Sequence, residues 1–523
     1  MNTSRRTHIF RFAPWLFLPC CIFLSMFVIW PTLVVLSRSF NRSSLFNVLS
    51  DSQLRQMLWF TTWQALLSTL GTLAIGLPAA LVLSRYAFKS RQMIRALTFV
   101  PFVLPTVVVG IAFASLAPAQ YQSGPLPLIL AHIYLNIAVV VRVVGSRWEK
   151  LPTAFNDNAA LLGATPFTNF RTITLPLLRS SIIGAGSIVF IFCFSTYGAA
   201  RVLAGPRFPT IETEIYRYAF FLGNMPQASA LVVWQLFVIL LVLALTHRQK
   251  SISLAQQNLM PLSSERQTKR LFFSVAATLI AVGTLLPIAI LFTDSLQSYE
   301  GFTFSYWATS DMWTSFFTSL SIALFAAVMA LLFGTGSALA IAYSTRTRFH
   351  MFVQALTSLP IVISAVALGL GYLLAFRSDP VNWRGSIWLL PVAHSAVALP
   401  FVVRIITPAA REIQPELREN ALLLGASPWE AWKSIDLRFL LRPLAIAASF
   451  AFTISLGEFG ASSLLTRHGH ETLAMRIGQL LSRPGEQLQK QAIASACLLA
   501  FSCIAIALIV EYAVQFNRKK RTQ

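Results

Sequence analysis

Two short stretches of this chain carry the same ordered set of groups. Asp157-Asn158-Ala159-Ala160-Leu161-Leu162-Gly163 is followed, after nine residues, by Ile173-Thr174-Leu175-Pro176. Glu419-Asn420-Ala421-Leu422-Leu423-Leu424-Gly425 is followed, again after nine, by Ile435-Asp436-Leu437-Arg438. A carboxylate in the early turns of a helix is favoured by the helix dipole. Alanine and leucine then give a compact apolar face, and the glycine permits a sharp turn with close backbone approach. Pro152 and Pro415 are expected to open the two helices. The chemistry on offer is recognition, because a short apolar helix suits a groove on a partner protein. Other reactive groups are sparse. Glu458 lies inside an apolar run, where an ionisable residue faces a cavity or a partner rather than lipid. Tyr197 and Phe459 could offer aromatic faces to a cation beside it; the competing reading makes Glu458 structural, paired with Arg467. His132 and His394 sit symmetrically in apolar runs, either bridging helices or lining a pathway. His468 and His470, beside Glu471, have metal-like spacing, but two histidines make a weak site and no metal is expected. Cys20, Cys21, Cys193, Cys497 and Cys503 all lie in apolar runs and read as small hydrophobes. No Gly-x-x-x-x-Gly-Lys-Ser/Thr occurs, so nothing here cradles ATP phosphates, and no cofactor is expected. No cluster of polar catalytic groups points to an enzyme.

The elements that must position these groups follow from composition. The 523 residues are 56% hydrophobic and 11% charged, against roughly 25% charged in a soluble domain. Such a chain cannot cover a water-facing surface and requires a bilayer. Apolar runs able to cross it lie near 13–36, 58–84, 96–117, 126–142, 181–202, 227–246, 271–293, 314–344, 351–376, 386–403, 443–465 and 491–510. The first follows Arg5, Arg6 and Arg11 but is too long for a signal peptide, so it reads as an uncleaved span with its N-terminus inside. The net charge of +22 first suggests an acidic partner. With the termini inside, 29 of the 41 basic residues fall on the inner side, giving about +21 inside against +2 outside. Charge is therefore a topology signal and no nucleic acid is needed.

The two halves also repeat. Ala96-Leu97-Thr98-Phe99-Val100-Pro101 is answered by Ala355-Leu356-Thr357-Ser358-Leu359-Pro360, and Gly110 by Gly369. Ala131-His132, Val141-Arg142 and Tyr197-Gly198 are answered by Ala393-His394, Val403-Arg404 and Phe459-Gly460. An even number of spans per half makes the repeat parallel rather than inverted. The expected division is a first half over 1–250, a polar linker over 251–270 and a second half over 271–523. Gly334-x-Gly336 and Gly369-x-Gly371 read as close helix packing.

The doubled loop is similar to the EAA loop of permease subunits of binding-protein-dependent ABC importers. In that family Glu-Ala-Ala, three residues, Gly, nine residues and Ile-x-Leu-Pro recur in the helix that docks on the ATPase. By position, Asp157 and Glu419 take the family's Glu, Ala159 and Ala421 its second Ala, and Gly163 and Gly425 its Gly. Asp157, Asn158, Asn420 and Arg438 depart from the pattern. The resemblance covers the whole chain as two fused halves. It implies an all-α polytopic membrane protein of about twelve spans, in two parallel six-helix repeats of the type I importer architecture. It further implies a cytoplasmic ATPase partner, expected as a homodimer, and an extracytoplasmic solute-binding protein. A bacterial inner-membrane location with both termini in the cytoplasm follows. Leu203-Ala204-Gly205-Pro206, Thr210-Ile211-Glu212-Thr213-Glu214-Ile215-Tyr216 and Ile454-Ser455-Leu456-Gly457-Glu458-Phe459-Gly460 resemble the thiamine branch, with the ferric-iron branch as the alternative. A secondary transporter driven by an ion gradient is the competing class, but it needs ionisable groups at midplane that are almost absent.

Overall fold

The structure is a computed structural model that describes residues 13–246, 260–261 and 267–522, apart from 40–41, 89, 153, 299–300, 345, 378–382, 384–385 and 468. Most of the expected linker, 251–270, therefore lies outside the described residues, as does His468. The described chain is helical. Its only β structure is two short ladders, Tyr86–Ala87 with Met260–Pro261 and Gln297–Ser298 with Gly301–Phe302.

The first half runs α1 (Pro14–Ser39), α2 (Ser52–Arg85), α3 (Arg91–Val103), α4 (Thr106–Leu116) and α5 (Pro125–Trp148). It continues with α6 (Ala154–Leu161), α7 (Pro166–Phe194), α8 (Gly198–Leu203), α9 (Ile211–Tyr216) and α10 (Met225–Thr246). The second half repeats the order. It comprises α11 (Gln267–Ser295), α12 (Ser310–Tyr343), α13 (Thr347–Val362), α14 (Ala365–Ala375) and α15 (Leu389–Arg411). After these come α16 (Pro415–Leu423), α17 (Pro428–Leu456), α18 (Gly460–Leu465), α19 (Leu473–Leu481) and α20 (Glu486–Thr522). Among the described residues ten helices are long and apolar enough to cross a bilayer, or twelve when each of the bent pairs α3–α4 and α13–α14 counts as one span.

Several expected spans differ in shape. The 96–117 and 351–376 runs are broken helices, bent by 101° and 93°. At the first break Leu104 is extended, ψ 139°, because it precedes Pro105. At the second, Ser364 is extended and its hydroxyl caps the backbone N–H of Ala367 at 3.1 Å. The 181–202 and 443–465 runs become Pro166–Phe194 and Pro428–Leu456. Each long helix starts in the polar loop and ends before the apolar run does, because the chain turns into the short helices α8 and α18.

The described residues divide into two compact units, one drawn from Met1–Leu45, Ile215–Val233 and Phe304–Gln523, the other from Phe46–Glu214 and Trp234–Thr303. The repeat boundary and the unit boundary are different partitions, since the first helix of each half packs with the other half's bundle. In one unit α1 lies on α12 and α14: Phe23 stacks on Phe333 with ring centroids 4.6 Å apart. A Cβ on Gly336 would lie 2.6 Å from the Leu16 carbonyl oxygen, and one on Gly371 would lie 2.9 Å from Pro31. In the other unit α11 lies on α4 and α5. Ser115 donates to Asp294 at 2.7 Å, and the Tyr134 hydroxyl donates to the Thr284 carbonyl at 2.8 Å.

Within each unit the long helix pair is drawn together by a glycine. A Cβ on Gly76 or on Gly334 would come within 2.7 Å of Val140 or Val402. Small residues of this kind let membrane helices approach, as lipid offers no hydrophobic driving force between them.

Candidate functional site: two matched loop helices

The doubled loops fold the same way, one in each unit. Helix α6 ends at Leu161, and Gly163 follows with φ +80°. Gly163 N–H donates to the Ala160 carbonyl at 3.0 Å, and Ala164 N–H to the Ala159 carbonyl at 2.9 Å. Helix α16 ends identically: Gly425 has φ +91°, its N–H donates to Leu422 at 3.0 Å, and Ala426 N–H donates to Ala421 at 3.1 Å. This is the left-handed glycine cap that satisfies the last carbonyls of a helix. A Cβ at either glycine would meet nothing within 4 Å, so the backbone angle, not space, selects glycine.

A second turn follows at once in both copies. Thr165 accepts from the Thr168 N–H at 3.2 Å with Pro166 next in the chain. Ser427 accepts from the Glu430 N–H at 3.3 Å, and the Glu430 carboxylate accepts from the Ser427 N–H at 2.8 Å, with Pro428 in the matching place. These caps were readable as Thr-Pro and Ser-Pro-x-Glu but form no part of the expected motif. One widened π turn, Phe170–Thr174 or Trp432–Asp436, then joins the loop to α7 or α17. Pro415 is the first residue of α16, and the Pro152 carbonyl accepts from the Phe155 N–H at 3.3 Å at the head of α6.

The side chains sort into two faces. Ala159 is buried and Ala421 half-buried, so the small residues rest against the protein. Asp157, Asn158, Glu419 and Asn420 are exposed. Beside the turns, Leu161 and Leu162 are 86% and 88% exposed, and Leu423 and Leu424 are 83% and 89% exposed. Phe167 and Trp429 stand exposed on the following turn. Each loop thus presents a pair of bare leucines and an aromatic ring, flanked by a carboxylate and an amide. Such a surface can bind an apolar cleft with a polar rim.

The residues read as pathway candidates lie deeper. His394 on α15 approaches Ser455 (2.8 Å from Nδ1) and Ser462 (3.0 Å from Nε2), bridging α17 and α18. Glu458 accepts from the backbone N–H groups of Gly460 (2.8 Å), Ala461 (3.0 Å) and Ser462 (3.2 Å) at the start of α18, and lies 3.5 Å from His394. Phe459 is buried beside it, and a Cβ on Gly478 would meet its ring at 2.6 Å. In the other unit His132 is buried with Nδ1 3.3 Å from Ser68, and Tyr197 is buried at the start of α8. The structure thus brings His394 and Glu458 together at the head of α18, whereas in the first half His132 meets Ser68 on α2 and Tyr197 precedes α8. His470 is exposed.

Comparison with known proteins gives the second loop a family context. Residues 330–521, which include α16 and its glycine turn, match the model of the binding-protein-dependent transport system inner membrane component. That stretch thus carries the membrane domain of an importer permease, and the chain as a whole is similar to such permeases over nearly its full length. Over 491 residues it is 27% identical to the thiamine transport system permease protein of Brucella suis biovar 1, covering 90% of this chain and 89% of that one. The thiamine transport system permease protein of Escherichia coli K12 is 25% identical over 489 residues, 89% of this chain and 90% of its own. A Salmonella typhimurium permease named for 2-aminoethylphosphonate transport is 28% identical over 246 residues, which are 45% of this chain but 89% of the relative. A single-half permease therefore spans about one half of this chain, as expected for two fused repeats. The all-α reading holds among the described residues, with ten to twelve spans according to how the two bent pairs are counted.

Proposed function

We propose that this permease carries thiamine across the inner membrane, driven by a separate ATPase that docks on α6 and α16. The observation that carries the docking is the identity of the two loops: same turn, same cap, same pair of exposed leucines, in equivalent places of a repeat. The strong inward bias of positive charge supports a cytoplasmic position for both, where an ATPase dimer would meet two equivalent contacts. Asp157, Asn158, Ala159 and Gly163, with Glu419, Asn420, Ala421 and Gly425, are the coupling residues on this reading. A solute-binding protein delivers the cargo on the opposite side, and ATP binding shifts the loops to drive alternating access. The thiamine assignment rests on full-length relatives named for thiamine transport. His132, Tyr197, His394, Glu458 and Phe459 support the pathway as the joints that hold α8 and α18.

The test is uptake of radiolabelled thiamine by the permease reconstituted with its ATPase and binding protein, in competition with unlabelled thiamine or ferric iron. ATP-dependent uptake that thiamine suppresses and iron does not is the expected result. Iron uptake without thiamine uptake would overturn the substrate and leave the permease assignment intact.

A further inference from the structure

One charged cluster near the second loop belongs neither to the docking face nor to the pathway. Arg418 lies on α16 immediately before Glu419, but is buried where the two leucines are bare. Its Nη2 and Nε grip the carboxylate of Asp436 at 2.5 Å and 2.8 Å, and the Tyr343 hydroxyl donates to the same carboxylate at 2.6 Å. The Arg418 guanidinium also stacks over the Tyr343 ring, 4.9 Å from its centroid. Arg418 is 8% exposed and Asp436 fully buried. Three elements meet here: α16 through Arg418, the π turn at the head of α17 through Asp436, and the last residue of α12 through Tyr343. The joint sits against the apolar core that α12, α15 and α17 share, with Tyr343, Trp432 and Ile435 packed on its edge.

A buried ion pair is a poor source of stability, because desolvation offsets the attraction and apolar replacements of similar volume are often tolerated. What a forked, stacked arginine does supply is fixed geometry. The first half lacks the arrangement: Asn156 and Thr174 hold the equivalent positions. Its loop is anchored at the opposite end, where Glu149 takes Arg91 at 2.6 Å and Arg95 at 2.7 Å, and Arg85 donates to the Leu151 carbonyl at 2.8 Å. The first anchor thus precedes its loop helix, and the second grips the loop helix itself.

We propose that Arg418, Asp436 and Tyr343 form a positioning strut that transmits displacement of α16 directly to α12 and α17, so that the second loop, more than the first, drives the membrane helices. The proposal rests on the coupling reading given above. Its test is the ratio of ATP hydrolysed to thiamine imported, measured on the reconstituted permease–ATPase–binding-protein complex. The double variant R418M/D436L removes the pair without leaving a lone buried charge, and Tyr343→Phe removes one hydrogen bond without changing shape. We expect R418M/D436L to assemble and hydrolyse ATP normally while ATP spent per thiamine rises about tenfold, and Tyr343→Phe to move the ratio the same way by less. Wild-type ratios in both variants would overturn the strut. So would loss of assembly in R418M/D436L together with an unchanged ratio in Tyr343→Phe, which would make the cluster a folding element. Gly425→Asp separates the two layers. If it abolishes uptake while the strut variants behave as wild type, only the strut fails; if it too leaves uptake unchanged, the coupling reading itself fails.

Discussion

At the scale of the residue, the two glycines that end the loop helices are the most constrained positions of the site. Both have φ well inside the left-handed region, and both have open space where a side chain would go. A non-glycine residue there costs about 1–2 kcal/mol in backbone strain, less for asparagine, which tolerates this conformation. Transport should therefore fall in the order glycine, asparagine, alanine at both 163 and 425. Equal transport by Gly425→Asn and Gly425→Ala would show that the turn's handedness is not what matters. The residue scale was well read from sequence where the signal is local. The glycine turns, the alanines beneath them and the exposed carboxylates all fall within one short segment. Arg418, Asp436 and Tyr343 were not legible as a group, because Tyr343 lies far up the chain and only folding brings it to the loop. Glu458 illustrates a third case. Its presence in an apolar run was visible, but the backbone N–H groups of α18 that hold it exist only once the chain breaks at Gly457.

The element scale concerns the bare leucine pairs. Burying one leucine in a partner's cleft stabilises by about 1.5–3 kcal/mol, so two per loop form a substantial anchor. Leu423→Asp with Leu424→Asp should prevent the ATPase from co-purifying with the permease while membrane insertion is unchanged, and the matching pair at Leu161 and Leu162 should weaken it. Undiminished co-purification of both double variants would remove the leucines from the interface. The long helices were legible, since each contains a charge-free run, while the short helices α8, α9, α18 and α19 were not. Helix limits were less so. The long helices α7 and α17 begin in polar loop sequence, where caps at Thr165 and Ser427 start them, and hydrophobicity alone does not register a cap. The breaks at Pro105 and Ser364 were likewise hidden inside uninterrupted apolar runs.

For the whole molecule, the doubled architecture was legible because equivalent residues recur at constant offsets. The exchange of α1 and α11 between bundles was not. Leucine, phenylalanine and alanine serve equally against lipid and against a neighbouring helix, so composition does not say which bundle a span joins. Orientation is the remaining property at this scale, and the inward orientation proposed above rests on the charge bias. A cysteine replacing the exposed Arg207 should label in intact cells, and one replacing the exposed Thr168 only after permeabilisation. The reverse pattern would place the loops on the wrong side for any cytoplasmic ATPase. Coupling through α6 and α16 requires contact between both loops and the ATPase in a working transporter. A photo-crosslinking side chain at position 162 or 424, in complexes that import thiamine on ATP addition, should capture the ATPase subunit from both loops, with yields that change when ATP binds. Transport-competent complexes in which neither position captures the ATPase would contradict it.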